Sequence, residues 1–337
     1  MGYRTGIGRV LAAAVVLGGL AGLAVSPALA VVIVGGDGSG NTSMSSPPTD
    51  NGFPGTDPGW DNVGVNSNEA AIYVGQQWVL MAYHSVALLD GNPVSQSVDL
   101  AGTVYLTDPT TFHRLYCPSQ GPGTPSDLVL LKLTTAPPLP SLTIATASPA
   151  TNSWVVGIGQ GAQNRSAGIV YWNASGGTVS GPAGATYSGY TYDYNPRTMR
   201  WGEAQVSGTQ SAVSDGYGLT DCFYTTFADN GNANEMQIVR GDSGGGVFSW
   251  NGTSWQLSGM IVGNATSTVL GNISNFYGVS TTGNVAVFDN TYSYVADLSQ
   301  YQSQIVQITP EPSSLALFLA GGAIFWACRR FRARRRG

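Results

Sequence analysis

An all-β fold is what this chain predicts, and three observations predict it. The 337 residues hold only 10% charged side chains but 46 glycines and 16 tyrosines, a profile of short strands and turns rather than of amphipathic helices. Long helical periodicity is absent from the middle of the chain, where short apolar runs alternate with turn signals at roughly ten-residue spacing, the pattern of barrels. The proline-rich stretch TTAPPLPSL, 134–142, interrupts this pattern and reads as a connector between two halves, about 31–145 and 146–308.

Taken in order, residues 1–30 read as a secretory signal peptide, with Arg4 and Arg9, the apolar run LAAAVVLGGLAGLAV and a small-residue cleavage site at Ala28-Leu29-Ala30. VVIVGG then opens a strand, and 37–68 is rich in Gly, Asp, Asn, Ser and Pro, a loop whose aspartates lack the regular spacing of a Ca²⁺ site. AAIYVGQQWVLMAYHSVALL supplies two strands and His84, whereas His113, in TFHRLYC, has no glycine-rich or acidic context. Asp127 enters DLVLLKL, a nearly continuous apolar strand, where a carboxylate needs hydrogen-bond donors. Residues 162–234, rich in Gly, Asn, Ser, Thr and Tyr, should carry long surface loops, some of them lining a substrate cleft. In MQIVRGDSGGGVFSW, 236–250, Ser243 sits in a glycine-rich turn just before a hairpin that Asn251-Gly252 closes. TYSYVADLSQYQSQI, 291–305, is the best helix candidate, with Tyr294, Val295, Leu298, Tyr301 and Ile305 on one stripe.

Glycines 241, 244, 245 and 246 remove every Cβ near Ser243, which lets a substrate carbonyl approach backbone N–H groups. That is the setting a serine nucleophile requires, and it needs a base. His84 and His113 are the two histidines, and both precede the serine. GDSGG also fits the loose GxSxG pattern of α/β-hydrolases, but those enzymes place histidine after serine. A subtilisin order would draw its aspartate from Asp37, Asp50, Asp57 or Asp61, none in a persuasive signature; the remaining order is histidine, aspartate, serine.

QWVLMAYHSV around His84, SDLVLLKL around Asp127 and RGDSGGGVF around Ser243 together resemble the trypsin/chymotrypsin-like serine protease family, over about 31–306, with VVGIGQG at 155–161 similar to the family's mid-chain glycine segment. The resemblance implies two six-stranded antiparallel β-barrels followed by a packed C-terminal helix. It implies a triad of His84, Asp127 and Ser243, an oxyanion hole from the backbone N–H groups of Gly241 and Ser243, and no metal or organic cofactor. It also implies a primary pocket floored by Gln237, lined by Ile238 and Val239, with Arg240 at its mouth. That floor is neutral, so cleavage after Lys or Arg is not expected. Ile33-Val34-Gly35-Gly36 is similar to the family's activated N-terminus, whose ammonium would pair with Asp242; the simpler alternative leaves Val31 as the terminus after signal cleavage. The cysteines usual beside the family's histidine and ahead of its serine are replaced by Ser85 and Val239, and the plausible disulfide pair left is Cys117 with Cys222.

The tail, 309–337, joins Pro310-Glu311-Pro312 to an apolar run from Leu315 to Cys328 and an arginine cluster, the pattern of a transmembrane helix with its arginines held on the cytoplasmic side. It resembles the PEP-CTERM sorting signal of Gram-negative bacteria, which implies an exosortase-type partner acting at Pro310, Glu311 and Pro312, transient anchoring in the inner membrane, and release to the cell surface or medium. Six of the fourteen basic residues lie in that tail, so the body at 31–310 is acidic and nucleic-acid binding is excluded as its function. The expected activity is hydrolysis of protein or peptide bonds by an exported serine endopeptidase. Two alternatives stand beside it: a catalytically silent binding or adhesion module, and an esterase on the same scaffold.

Overall fold

Strands with both faces apolar need cover on both sides, and this chain supplies it by closing sheets into barrels and packing the barrels together. The computed structural model describes residues 31–34, 39–67, 69–164, 168–175, 177–193, 197–228, 231–264, 273–275 and 292–309. The first barrel is built from β1 (Val63–Asn66), β2 (Glu69–Gly75), β3 (Trp78–Ala82), β4 (Ser97–Leu100), β5 (Thr103–Tyr116) and β6 (Pro125–Leu133), closed in the order β1-β2-β3-β6-β5-β4. The second uses β7 (Trp154–Gly159), β8 (Arg200–Ser214), β9 (Leu219–Thr226), β10 (Gly246–Trp250), β11 (Trp255–Asn264) and β12 (Tyr292–Asp297), closed as β7-β8-β9-β12-β11-β10. The two barrels therefore repeat one strand order, and every pairing in both is antiparallel.

Alternation along β3 and β6 shows why an unbroken apolar run suits this site. Val79, Met81, Val129 and Leu131 join the cluster inside the first barrel, while Leu80, Ala82, Leu128 and Leu130 face the other way. There they meet Val156, Ile158, Phe248 and Met260 of the second barrel and Leu298, Tyr301 and Ile305 of the C-terminal helix. Each buried leucine here removes apolar surface from water on a scale of about 1.5–3 kcal/mol. The two catalytic candidates His84 and Asp127 follow or enter these same strands, so their positions inherit the rigidity of the inter-barrel core.

Three expectations are corrected. The segment 162–234 is not mainly loop: it holds β8, β9 and a small extra sheet of Gln163–Asn164, Val170–Trp172, Thr178–Val179 and Tyr187–Asp193, joined by Ile273–Asn275. Tyrosine and threonine, read there as loop residues, are good strand formers. Helix α1 runs Leu298–Ile308 and not from 291, because Tyr292–Asp297 pairs with β9 and β11 and completes the barrel. Asp297 caps the helix by accepting from the Ser299 N–H at 3.1 Å, and the buried stripe is Leu298, Tyr301 and Ile305. Cys117 and Cys222 are both buried free thiols, not a disulfide. Cys117 Sγ instead lies 3.5 Å from both Ser119 and Asp221.

No helix among the described residues is long and apolar enough to cross a membrane. The expected signal peptide at 1–30 and the sorting tail, with Pro310, Glu311, Pro312 and its apolar run, lie outside the described residues.

Candidate active site

His84 lies in the single 3₁₀ turn, Tyr83–Ser85, that ends β3, and Asp127 is the third residue of β6, which pairs with β3. Ladder pairing brings them together: Ala82 is opposite Leu128, one residue past the aspartate. Asp127 is fully buried, and both of its oxygens serve His84. The His84 backbone N–H donates to Oδ1 at 3.0 Å, and His84 Nδ1 and Asp127 Oδ2 are 2.6 Å apart. That short contact fixes the ring so that Nε2 faces away from the aspartate.

Ser243 stands in the turn before β10. Its carbonyl accepts from the Ala70 N–H of the first barrel at 2.9 Å, and the next amide, Gly244 N–H, donates to Ile261 of β11 at 2.8 Å. Gly244 has φ +80°, and a Cβ there would collide with the Ala70 carbonyl, so glycine lets the turn dock on the first barrel. Gly241 has φ +98°. Among the described residues neither the Gly241 nor the Ser243 N–H is taken by a backbone carbonyl, which leaves both for an oxyanion. Between them, Asp242 is buried and turned inward: it accepts from Gly161 N–H at 2.6 Å and Val239 N–H at 2.8 Å.

The Val31 backbone also donates to Asp242. In the uncleaved chain Val31 is thus the residue whose backbone reaches this carboxylate. Ile33 is two residues further on, paired with Met236 and packed among Val155, Phe223 and Ile238. Burial pushes the Asp242 carboxyl up to about 7 against the pull of those backbone donors and of the Arg200 charge.

Serine and histidine are not hydrogen-bonded to one another here. Ser243 Oγ donates to the Val262 carbonyl at 3.3 Å, and His84 Nε2 lies 3.4 Å from Glu69 Oε2. Consecutive residues of β2 thus touch both members, Glu69 the histidine and Ala70 the serine. Burial by itself lowers the His84 pKa, but the hydrogen bonds and charges of Asp127 and Glu69 outweigh it and raise it to about 10. Burial likewise raises Asp127 to about 6, opposed by the hydrogen bond and charge of His84 and helped by Asp215 nearby. The direction that geometry supports for this coupled pair is an ionised Asp127 beside a protonated imidazole.

The second barrel closes over the pair through the β8–β9 hairpin. Tyr217 lays its ring beside the His84 imidazole, 5.2 Å between centroids and tilted 31°. Gly218 packs against residues 125–127 so closely that a Cβ would stand 2.7 Å from the Ser126 carbonyl carbon. Arg114 ties the hairpin down: its Nη2 donates to the Tyr217 carbonyl, its Nε to Ser126 at 2.8 Å, and its guanidinium lies 3.5 Å over the Tyr83 ring. Asp215 is held by the N–H groups of Tyr217 and Gly218 at 2.8 and 3.0 Å. His84, Asp127 and Asp215 are the one group among the described residues whose ligand atoms lie within 4.8 Å of one another, close enough to share a metal ion. Their hydrogen bonding accounts for the cluster without one, since Nδ1 is already engaged by Asp127.

The four residues expected to form the primary pocket are placed unevenly. Gln237 pairs with Val32, Ile238 and Val239 enter apolar clusters, and all three are buried, while Arg240 is exposed. Glu69, Tyr217, Asp215, Arg114 and Val262 were not found from the sequence. None carries a local signature.

No protein-family model matches the chain, and no curated protein matches it in sequence. Among solved structures it is similar to the Rv3671c protease of M. tuberculosis in its active form, at 16% identity and TM-score 0.39 over 71% of this chain and 72% of that one. The inactive form of Rv3671c gives 15% identity and TM-score 0.40 over 74% and 89%. Kallikrein-related peptidase 10, in a complex with Zn²⁺, gives 12% and 0.40 over 75% and 98%. Similarity this low does not bear on function.

Proposed function

We propose that this chain is a serine endopeptidase that hydrolyses peptide bonds through Ser243, His84 and Asp127. One observation carries the reading: a fully buried aspartate grips the Nδ1 side and the backbone N–H of a histidine whose Nε2 meets Glu69, while the next residue, Ala70, holds the carbonyl of a serine on a glycine turn with two amides that no backbone carbonyl takes among the described residues. In the reaction, Ser243 Oγ attacks the substrate carbonyl carbon as its proton passes to His84 Nε2. The Gly241 and Ser243 N–H groups take the developing oxyanion, each worth roughly 3 kcal/mol of barrier. The C–N bond then breaks as Nε2 returns the proton to the leaving amine, and water releases the acyl group by the same exchange. Asp127 holds the tautomer and offsets the imidazolium charge. Segment 1–30 is proposed as the export signal of this enzyme, and 309–337 as an anchor recognised at Pro310-Glu311-Pro312 by an exosortase-type enzyme of a Gram-negative inner membrane.

A second reading has an observation in its favour: with Ser243 on Val262 and His84 on Glu69, the resting site is not poised, as in a barrel kept for binding alone. Fluorophosphonate labelling of the exported body separates the two. The endopeptidase reading expects labelling that disappears in Ser243→Ala and His84→Ala, with amide turnover beside ester turnover. A folded body that stays unlabelled at every pH from 6 to 11 sinks it.

A further inference from the structure

Glu69 touches the reacting nitrogen of His84 and has no part in the scheme above. Its Oε2 is buried and meets His84 Nε2 alone among the described residues, at a long 3.4 Å, yet the side chain as a whole keeps 20% exposure. A desolvated carboxylate oxygen is costly unless donors reach it, and one imidazole at that distance meets the need only in part. Its backbone is held in place, because the amide of its neighbour Ala70 is bonded to the Ser243 carbonyl at 2.9 Å.

Its place also fixes which part of a substrate it would meet. Nε2 is the atom that hands a proton to the leaving amine, so a group beside Nε2 flanks the leaving half of the substrate. Val262, toward which Ser243 Oγ turns, belongs to the second barrel, and Glu69 to the first. The charge around it is unbalanced. Glu69, Asp127 and Asp215 gather at His84, and the Arg197 charge that acts on Glu69 also acts on Asp242, is opposed by Arg240, and sits where its Nη1 lies against Gly241. Resting on the assignment of Ser243 as nucleophile, we propose that Glu69 is a specificity-determining carboxylate for the residue immediately after the scissile bond, and that it pairs with a lysine or arginine there. An incoming ammonium or guanidinium supplies the donors that the buried oxygen lacks. It also draws the carboxylate from Nε2 and leaves that nitrogen to the Ser243 hydroxyl, so the favoured substrate helps to assemble the site.

Matched quenched peptides that differ only after the scissile bond, carrying Lys, Arg, Gln or Glu, test this on the exported body. Wild type should cut the Lys and Arg peptides at least about tenfold better in kcat/KM than the Gln peptide, the scale of a charge-assisted hydrogen bond. Glu69→Gln should bring the four peptides to near parity and move the alkaline rise of kcat/KM to lower pH, since Asp127 and Asp215 remain as the charges at His84. Glu69→Lys should favour the Glu peptide. Cleavage by wild type without preference, or a Lys preference that survives Glu69→Gln, overturns the proposal while the endopeptidase reading stands. Absence of both peptide cleavage and Ser243 labelling overturns the two together.

Discussion

A histidine that must accept a proton works best when its pKa lies near the operating pH, and His84 lies well above that at about 10. Because the neutral form is the base, kcat/KM should rise with pH through neutrality and level off only near that value. A pH profile with a midpoint near 6.5 would show that Glu69 and Asp127 do not hold the ring as described. Stability runs the other way: a folded pKa above the unfolded 6.5 gives a contribution complete below 6.5 and lost as pH rises toward about 10. Asp127→Asn should leave the fold intact but reduce kcat by about 10⁴-fold, because an amide no longer dictates the tautomer. His84, Asp127 and Ser243 were legible as residues because each stands in a short motif whose type and order carry chemical meaning. Glu69 and Asp215 were not, since a glutamate opening a strand and an aspartate in a turn become parts of a site only when distant segments meet.

Strand and turn chemistry made most elements readable. Asn251 shows why: its Oδ1 accepts from Thr253 and Ser254 N–H at 2.9 and 2.8 Å, and Gly252 takes φ +95°, so the hairpin follows from local groups alone. The start of α1 was misplaced for a related reason. Tyr294 and Val295 fit a helical stripe and a strand equally well, and pairing with β9 and β11 decides between them. The β8–β9 hairpin is the element on which the site most depends, because it carries the second-barrel groups Tyr217 and Asp215 to the triad's first-barrel half. Gly218→Ala is the sharp probe of that docking, as its Cβ would press on the Ser126 carbonyl carbon and, at 3.0 Å, on the Asp127 nitrogen. We expect a stability loss of about 1–3 kcal/mol and a fall in kcat larger than the fall in labelling by a small ester probe. Wild-type kcat in that variant would mean the hairpin is not needed to hold Asp127.

At the scale of the molecule, one strand order used twice places the site between two barrels, and a short N-terminal segment ties the second barrel to its catalytic turn. Residues 31–34 alternate: Val31 and Ile33 enter the interior cluster with Met236 and Ile238, and Val32 and Val34 pack with Val239 and Phe227 on the other side. The Val31 N–H then meets Asp242, the residue between the two oxyanion amides. Asp242 binds its proton more tightly folded than unfolded, so its contribution to stability is complete below 3.8 and lost as pH rises through about 7. A chain engineered to begin at Val31 would place an α-ammonium where that amide now stands, and the added charge opposes the burial that raises Asp242. Such a chain should lose less stability between pH 4 and 7 than one with residues ahead of Val31, and should label with fluorophosphonate at least as fast. A chain that begins at Ile33 forfeits two buried valines, about 3 kcal/mol or more, and the contact with Asp242, so its labelling should slow by tenfold or more. Unfolding curves and labelling rates measured on the three chains decide it: equal rates from the Val31 and Ile33 starts would mean that the N-terminal segment packs on the barrel without ordering the turn that carries Ser243.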